Sequence, residues 1–163
     1  KANSFMSIIR ANQDFMGTLG FGGVVERNPN LRVVCGEADA GWVPHYMYRM
    51  DHAYKRHRYW LPPGQELSKL PSEYFREHIY TTFQDDWIAF KMVEHVNHER
   101  LLWANDFPHS DSTWPWSQEM LDEHAASLTD VQAKDILCDN AAELYEINLA
   151  ALPVGGDSLA ATV

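Results

Sequence analysis

Acidic side chains follow each of three predicted β-strands in this chain. Glu37 and Asp39 come after the first strand, the stretch 82–86 begins within the end of the second, and Asp106 and Asp111 follow the third. In parallel α/β folds, ligands bind beyond the carboxyl ends of the strands. Carboxylates at that edge bind divalent metal ions or exchange protons with a substrate. The alternatives are that Asp106 caps the following turn and that Glu37 pairs with a surface arginine.

Helical and strand patterns alternate along the chain, and this order must position the acidic residues. Apolar residues recur at helical spacing in five segments, which are 3–19, 44–60, 85–100, 116–128 and 131–147. Three segments are typical of β-strands, namely 31–35, 78–83 and 101–107. Thr129 and Gln132 form a capping-box pattern before the last helix. The alternation predicts an α/β fold with a parallel sheet.

Composition limits the classes of function. The 163 residues carry a net charge of −10 with no basic stripe, which argues against nucleic-acid binding. No apolar run is long enough to span a bilayer, so no membrane partner is expected. We expect Cys35 and Cys138 to be buried free thiols, and this sparse cysteine usage favours the cytoplasm. Residues 1–152 are expected to form one part of a domain, and residues 153–163 are expected to form a flexible tail.

Four segments together resemble the carboxyl-terminal half of the amidohydrolase-2 family, in the branch similar to aminocarboxymuconate-semialdehyde decarboxylase. They are "NPNLRVVCGEADAGWVPHYMYRMDHA", "LPSEYFREHIYTTFQDD", "RLLWANDFPHSDSTWP" and "DNAAELYEI". The resemblance covers roughly residues 15–150. It implies that residues 1–152 are part of a (β/α)₈ TIM barrel, approximately strands six to eight with their helices.

The resemblance also implies roles for two residues as catalytic groups. Asp106, in "NDFPH", matches the family aspartate that binds or faces the metal, usually zinc, and that orients or deprotonates bound water. Glu37, in "GEADAGW", occupies the position of a family histidine that acts as acid, base or electrostatic helper. A glutamate there could bind the metal, shuttle protons or contact substrate.

Two further residues are expected to contact substrate. Arg49 resembles the family arginine that meets a substrate carboxylate, in some members across a dimer interface, so the resemblance implies a homodimer. The alternative is a surface ion pair with Asp51 or Asp86. His109 is expected to face the pocket, or else to be a turn histidine that is bonded to backbone.

The family's H-x-H motif after the first strand and its metal histidine after the fifth have no counterpart in this chain. We expect the pairs His52 and His57, and His95 and His98, to face solvent, because they lie on predicted helices away from the strand ends. A complete barrel needs about 250 residues. We therefore expect that the amino-terminal half of the barrel, which this chain does not supply, completes the metal site.

The sequence thus predicts an enzyme, namely a metal-dependent hydrolase or decarboxylase acting on a small carboxylated, ring-derived substrate. Its cofactor would be a divalent metal, with Zn²⁺ the first expectation. One alternative is a non-catalytic barrel homologue or interaction subunit, which the replacement of the family histidine by Glu37 favours. Another is an independent three-stranded α/β domain that has no catalytic activity.

Overall fold

A computed structural model describes residues 2–152 of the chain, and the predicted tail 153–163 lies outside the described residues. The strands are β1 (Val33–Cys35), β2 (Ile79–Phe83) and β3 (Leu101–Trp103). The helices are α1 (Ala2–Phe21), α2 (Val24–Arg27), α3 (Val43–His57), α4 (Pro71–His78), α5 (Trp87–Lys91), α6 (Ser117–His124), α7 (Asp130–Lys134) and α8 (Asn140–Leu144). A π-helical segment, Asp135–Asp139, joins α7 to α8. Short 3₁₀ turns lie at Arg58–Trp60, Val93–His95, His98–Arg100 and Leu149–Ala151.

The three strands form one parallel sheet in the order β1-β2-β3. Val33 is paired with Ile79, and Thr81 is paired with Leu101, so all three carboxyl ends lie at the same edge. This confirms the predicted parallel α/β arrangement. Within the described residues, β1 and β3 are the two edges of the sheet.

Helices cover the sheet with apolar side chains. In α3, Pro44 stands at the first turn and Met47, Met50 and Tyr54 are buried at helical spacing. Met47 and Met50 join a core that includes Phe75 from α4. Burial of each such side chain contributes about 1.5–3 kcal/mol before entropy is counted. No helix in the stretch 2–152 is long and apolar enough to cross a membrane.

The predicted helix 85–100 and the predicted strand 101–107 are much shorter than expected. The predicted helix 85–100 is wrong beyond α5, because Val96 is extended and the Asn97 side chain accepts a hydrogen bond from the Glu99 amide, starting a 3₁₀ turn. The predicted strand 101–107 ends at Trp103. The backbone at Asp106 adopts a left-handed φ of 56°, which cannot continue a strand.

The two cysteines lie in different surroundings, so the expectation that both are buried is wrong for Cys138. Cys35 is buried at the end of β1, where its Sγ lies 3.3 Å from Asn12 Oδ1. Cys138 is exposed on the π-helical segment. Both are free thiols.

Iodoacetamide at pH 8 is expected to modify Cys138 and to spare Cys35 in the folded protein. Burial raises the pKa of the Cys35 thiol to about 12, and the thiolate is the reactive form. Peptide mass spectrometry measures the two sites separately, with urea-unfolded protein as the control in which both react. Equal labelling of the two thiols in the folded protein would contradict the burial of Cys35.

Candidate metal centre

Three potential metal ligands meet at the carboxyl edge of the sheet. Glu37 follows β1, whereas Asp106 and His109 follow β3. One ligand atom from each of the three lies within 4.8 Å of the others, the only such group found among the described residues. The structure therefore brings together three of the four predicted site residues, from segments about 70 positions apart.

His109 and Asp106 are in direct contact. His109 Nδ1 lies 3.1 Å from Asp106 Oδ1 and 3.2 Å from Oδ2. The His109 amide also donates to the Asp106 carbonyl at 2.9 Å, which closes the turn between them. The Asp106 side chain is 28% exposed and that of His109 is 68% exposed, so the imidazole remains open to a ligand.

Glu37 is held in place by the central strand. Its backbone amide donates to Thr82 Oγ1 at 3.1 Å, which links the end of β1 to the end of β2. Thr82 also lines the cavity at this edge. The Glu37 side chain is exposed, so its carboxylate can bind a ligand without first losing a protein partner.

Backbone strain is concentrated at this edge. Glu37, Asp39 and Asp106 have φ angles of 56°, 55° and 56°, in the left-handed region that non-glycine residues rarely adopt. Each such residue costs about 1 kcal/mol or more, and strain of this kind clusters at functional sites. The left-handed backbone turns the chain sharply at the points where Glu37 and Asp106 leave their strands.

The loop after β3 is closed by one asparagine. The Asn105 carbonyl accepts hydrogen bonds from Ser112 Oγ at 2.7 Å and from the Thr113 amide at 3.1 Å. Its side-chain Oδ1 accepts from the Phe107 amide at 3.1 Å. These bonds fix both ends of the loop that carries Asp106 and His109.

The three ligands line a cavity of about 390 Å³, in the size range of small-molecule sites. Asp39 and Asp111 also line it. Burial raises the pKa of the Asp39 carboxyl, and the nearby Asp86 carboxylate adds to the rise. Gln84 at the end of β2 donates its side-chain amide to Asp111 Oδ2 at 2.9 Å. The lining of the cavity is therefore strongly acidic, which favours binding of a cation.

Asp86 supports this site without being one of the expected site residues. Its Oδ2 accepts hydrogen bonds from the Ala40 and Gly41 amides at 2.8 and 2.6 Å, and its Oδ1 accepts from the Ala89 amide at 3.1 Å. The carboxylate thus caps α5 and also holds the loop that follows Glu37. The sequence indicated only the first role, through the position of Asp86 at the start of a predicted helix.

Gly41→Ala is expected to destabilise the protein by about 1–3 kcal/mol. A Cβ at position 41 would lie 2.8 Å from Asp86 Oδ1 and 2.8 Å from Ile88 Cβ, so this support would have to shift. Gly36→Ala is the matched control in the same loop, because a Cβ there meets nothing within 4 Å. Urea unfolding measures both variants, and equal stability of the two would contradict the close packing at Gly41.

Arg49 is not brought to this cavity. It lies on the exposed face of α3 and is not among the residues that line the cavity. Its expected alternative partners are engaged elsewhere, since Asp51 accepts hydrogen bonds from Ser72 and Asp86 accepts from the backbone. Within residues 2–152 no ion pair of Arg49 is found, so its contact with substrate stays a prediction.

The histidine pairs also lie away from the cavity, as expected. His57 is exposed and stacks on Trp60. His98, however, does not simply face solvent, because its Nε2 lies within hydrogen-bond distance of Asp135 Oδ2, at 3.0 Å, and both side chains are half-buried. That pair joins the turn before β3 to the π-helical segment, which is a structural role.

Two carboxylates and one imidazole fit a divalent metal ion of the Mn²⁺ or Zn²⁺ type. The exposed imidazole of His109 and the acidic lining of the cavity are consistent with that donor set. Three ligands suffice for a catalytic zinc site, whereas Mn²⁺ takes more oxygen donors.

Comparison with known proteins identifies a family that matches this chain. The amidohydrolase family model matches residues 11–147. No curated protein matches the chain.

Solved structures share the fold at low sequence identity. A 5-carboxyvanillate decarboxylase from Sphingomonas paucimobilis has a TM-score of 0.67 and 22% identity, over 81% of this chain and 38% of that one. An amidohydrolase from Mycobacterium avium subsp. paratuberculosis K-10 has a TM-score of 0.68 and 21% identity, over 83% and 33%. A dihydroxybenzoic acid decarboxylase from Polaromonas sp. JS666, with bound manganese and the inhibitor 2-nitroresorcinol, has a TM-score of 0.62 and 20% identity, over 82% and 39%. The chain thus spans 33–39% of the length of these three proteins.

Proposed function

The chain belongs to the amidohydrolase family, and from this membership we propose that the intact protein is a metal-dependent decarboxylase or hydrolase. Its substrate would be a small carboxylated, ring-derived molecule. The single observation that carries the proposal is the convergence of Glu37, Asp106 and His109 within 4.8 Å at the strand ends. Decarboxylation is the favoured reaction, since structural neighbours include decarboxylases of aromatic acids.

The three described strands would be strands six to eight of a (β/α)₈ barrel. The numbering follows the family resemblance of the sequence, and two observations support a partial barrel. The sheet is parallel with both edges open within the described part of the chain, and the chain spans 33–39% of the compared structures. The remaining strands would close the barrel and bring further metal ligands to the same edge.

Glu37, Asp106 and His109 would hold the metal ion. Manganese is the first candidate, because three neighbouring structures contain it, whereas the comparisons give no support for zinc in particular. When bound, such an ion polarises a carboxylate or a water molecule as a Lewis acid.

Side chains of this chain would position the groups that react. His109 Nδ1 lies 3.2 Å from Asp106 Oδ2, and this contact would orient the imidazole beside the carboxylate. Glu37, whose position Thr82 fixes, could exchange a proton with substrate at its carboxylate. The acidic residues Asp39 and Asp111 would repel an anion that approached without a metal ion.

Arg49 would contact the carboxylate of a substrate that is bound in the partner subunit. It is exposed and lies outside the cavity of its own chain, so a homodimer is the arrangement in which it could reach a site. A guanidinium presents paired donors that match a carboxylate.

Metal analysis and activity of the intact protein test the proposal. We expect stoichiometric manganese by mass spectrometry, and CO₂ release from an aromatic acid such as 5-carboxyvanillate or 2,6-dihydroxybenzoate. Chelation by EDTA should abolish this release, and added Mn²⁺ should restore it. A protein that binds no divalent ion would instead support the non-catalytic homologue, which Glu37 in the place of the family histidine favours.

A further inference from the structure

One part of the cavity lining is apolar and comes from α1. Phe5 and Ile8 lie three positions apart, on the same side of the helix, and both line the cavity. Phe5 is 66% exposed and Ile8 is 37% exposed. The other exposed lining side chains are mainly acidic or polar, such as Glu37, His109 and Asp111.

The position of these two side chains follows from how α1 is attached. Asn12 donates to the Gly36 carbonyl at 3.4 Å and accepts from Cys35 Sγ at 3.3 Å, which ties α1 to the carboxyl end of β1. Met16, one turn further along, is buried in the core. At a rise of 1.5 Å per residue, Ile8 and Phe5 stand about 6 and 10 Å along the helix from Asn12, away from the core.

This attachment explains why large apolar side chains are exposed at the cavity. The second half of α1 packs closely, since a Cβ at Gly17 would lie 2.6 Å from Tyr46 Oη and one at Gly20 would lie 2.6 Å from Met50 Cε. The helix is thereby held along the sheet, and its first turns extend past the strand ends. Phe5 and Ile8 are therefore presented to the cavity by a fixed element.

We propose that Phe5 and Ile8 form the surface that binds the ring of the substrate and selects ring-bearing carboxylates over aliphatic ones. This inference rests on the proposed function, because the metal cluster is what would hold the carboxylate end. The geometry provides an apolar surface and a cluster of metal ligands in one cavity of about 390 Å³. Aromatic rings stack on phenylalanine with a further gain beyond their burial.

The discrimination can be measured with two probes of equal charge. Benzoate carries a ring and propionate does not, so a difference in their affinities reports on the apolar surface alone. Loss of one apolar side chain from a ring contact weakens binding by about 10-fold or more. Propionate affinity should change by less than about twofold, because its carboxylate contacts are retained.

The experiment is isothermal titration calorimetry of the manganese-loaded intact protein. Phe5→Ala and Ile8→Ala are expected to weaken benzoate binding about 10-fold, with propionate binding retained. Met6→Ala is the matched control, since Met6 is an exposed neighbour on the same helix that does not line the cavity. It should leave both affinities unchanged.

Unchanged benzoate affinity in Phe5→Ala would overturn the inference. A lower unfolding midpoint in that variant, with benzoate affinity intact, would also overturn it, because it would mean that another part of the protein covers Phe5. Manganese content, measured separately, distinguishes a failure of the proposed function. If the wild-type protein contained no manganese but bound benzoate, and Phe5→Ala weakened that binding, the result would contradict the metal centre but support the ring-binding surface.

Discussion

Asp106→Asn is expected to lower the metal affinity and the turnover of the intact protein by more than about 100-fold. That figure is the upper range for loss of a residue that only supports a metal ligand, and Asp106 would be a ligand itself. The substitution removes the negative charge and replaces with an NH₂ group one of the two carboxylate oxygens that His109 Nδ1 contacts at 3.1 and 3.2 Å. Both effects weaken binding of a divalent cation.

The fold should survive this substitution. Asparagine has nearly the same shape as aspartate and tolerates the left-handed φ of 56° at position 106 better than most residues. Circular dichroism should therefore be unchanged. Asp122→Asn is the matched control, because Asp122 is an exposed acid on α6 whose one hydrogen bond found within residues 2–152 comes from Gln118. Wild-type metal content and turnover in Asp106→Asn would refute the metal-ligand role.

The meeting of Glu37 and Asp106 could be predicted from sequence because a parallel sheet has a simple geometry. Each acid follows a short β-rich run, and the carboxyl ends of parallel strands lie at one edge. His109 follows Asp106 by three residues, so a turn between them was sufficient to bring its ring to the same place. The order of residues along the chain was therefore sufficient to predict most of the cluster.

Other features depend on contacts that are distant in sequence. The double role of Asp86 requires the Ala40 and Gly41 amides, about 45 positions earlier. The exposure of Cys138 depends on which side of the π-helical segment meets the core, where Ile136 is buried. Periodicity predicted a continuous helix over 85–100 because it does not weigh the side-chain hydrogen bond by which Asn97 starts a separate turn.

Asp86→Ala is expected to lower the free energy of unfolding by roughly 3–5 kcal/mol, the largest stability effect that we predict for a single site. The change leaves the backbone amides of Ala40 and Gly41 without their acceptor, and the Ala89 amide keeps only its bond to the Asp86 carbonyl. Asp86 is buried, so water cannot readily replace it. Asp85→Ala is the matched control, because Asp85 is exposed and its nearest partner, His124 Nδ1, is 3.8 Å away. It should cost less than about 1 kcal/mol.

Urea unfolding of the metal-free protein measures these stabilities, and manganese affinity gives a second measurement. Asp86 contacts none of Glu37, Asp106 and His109, but it holds the loop that leaves Glu37 in its left-handed conformation. A metal ligand is effective only when its backbone is held in place. We therefore expect Asp86→Ala to weaken manganese binding by about 10-fold or more even under conditions where the variant remains folded. Unchanged manganese affinity in the folded variant would mean that Glu37 is positioned by Thr82 alone, or that it does not bind the metal.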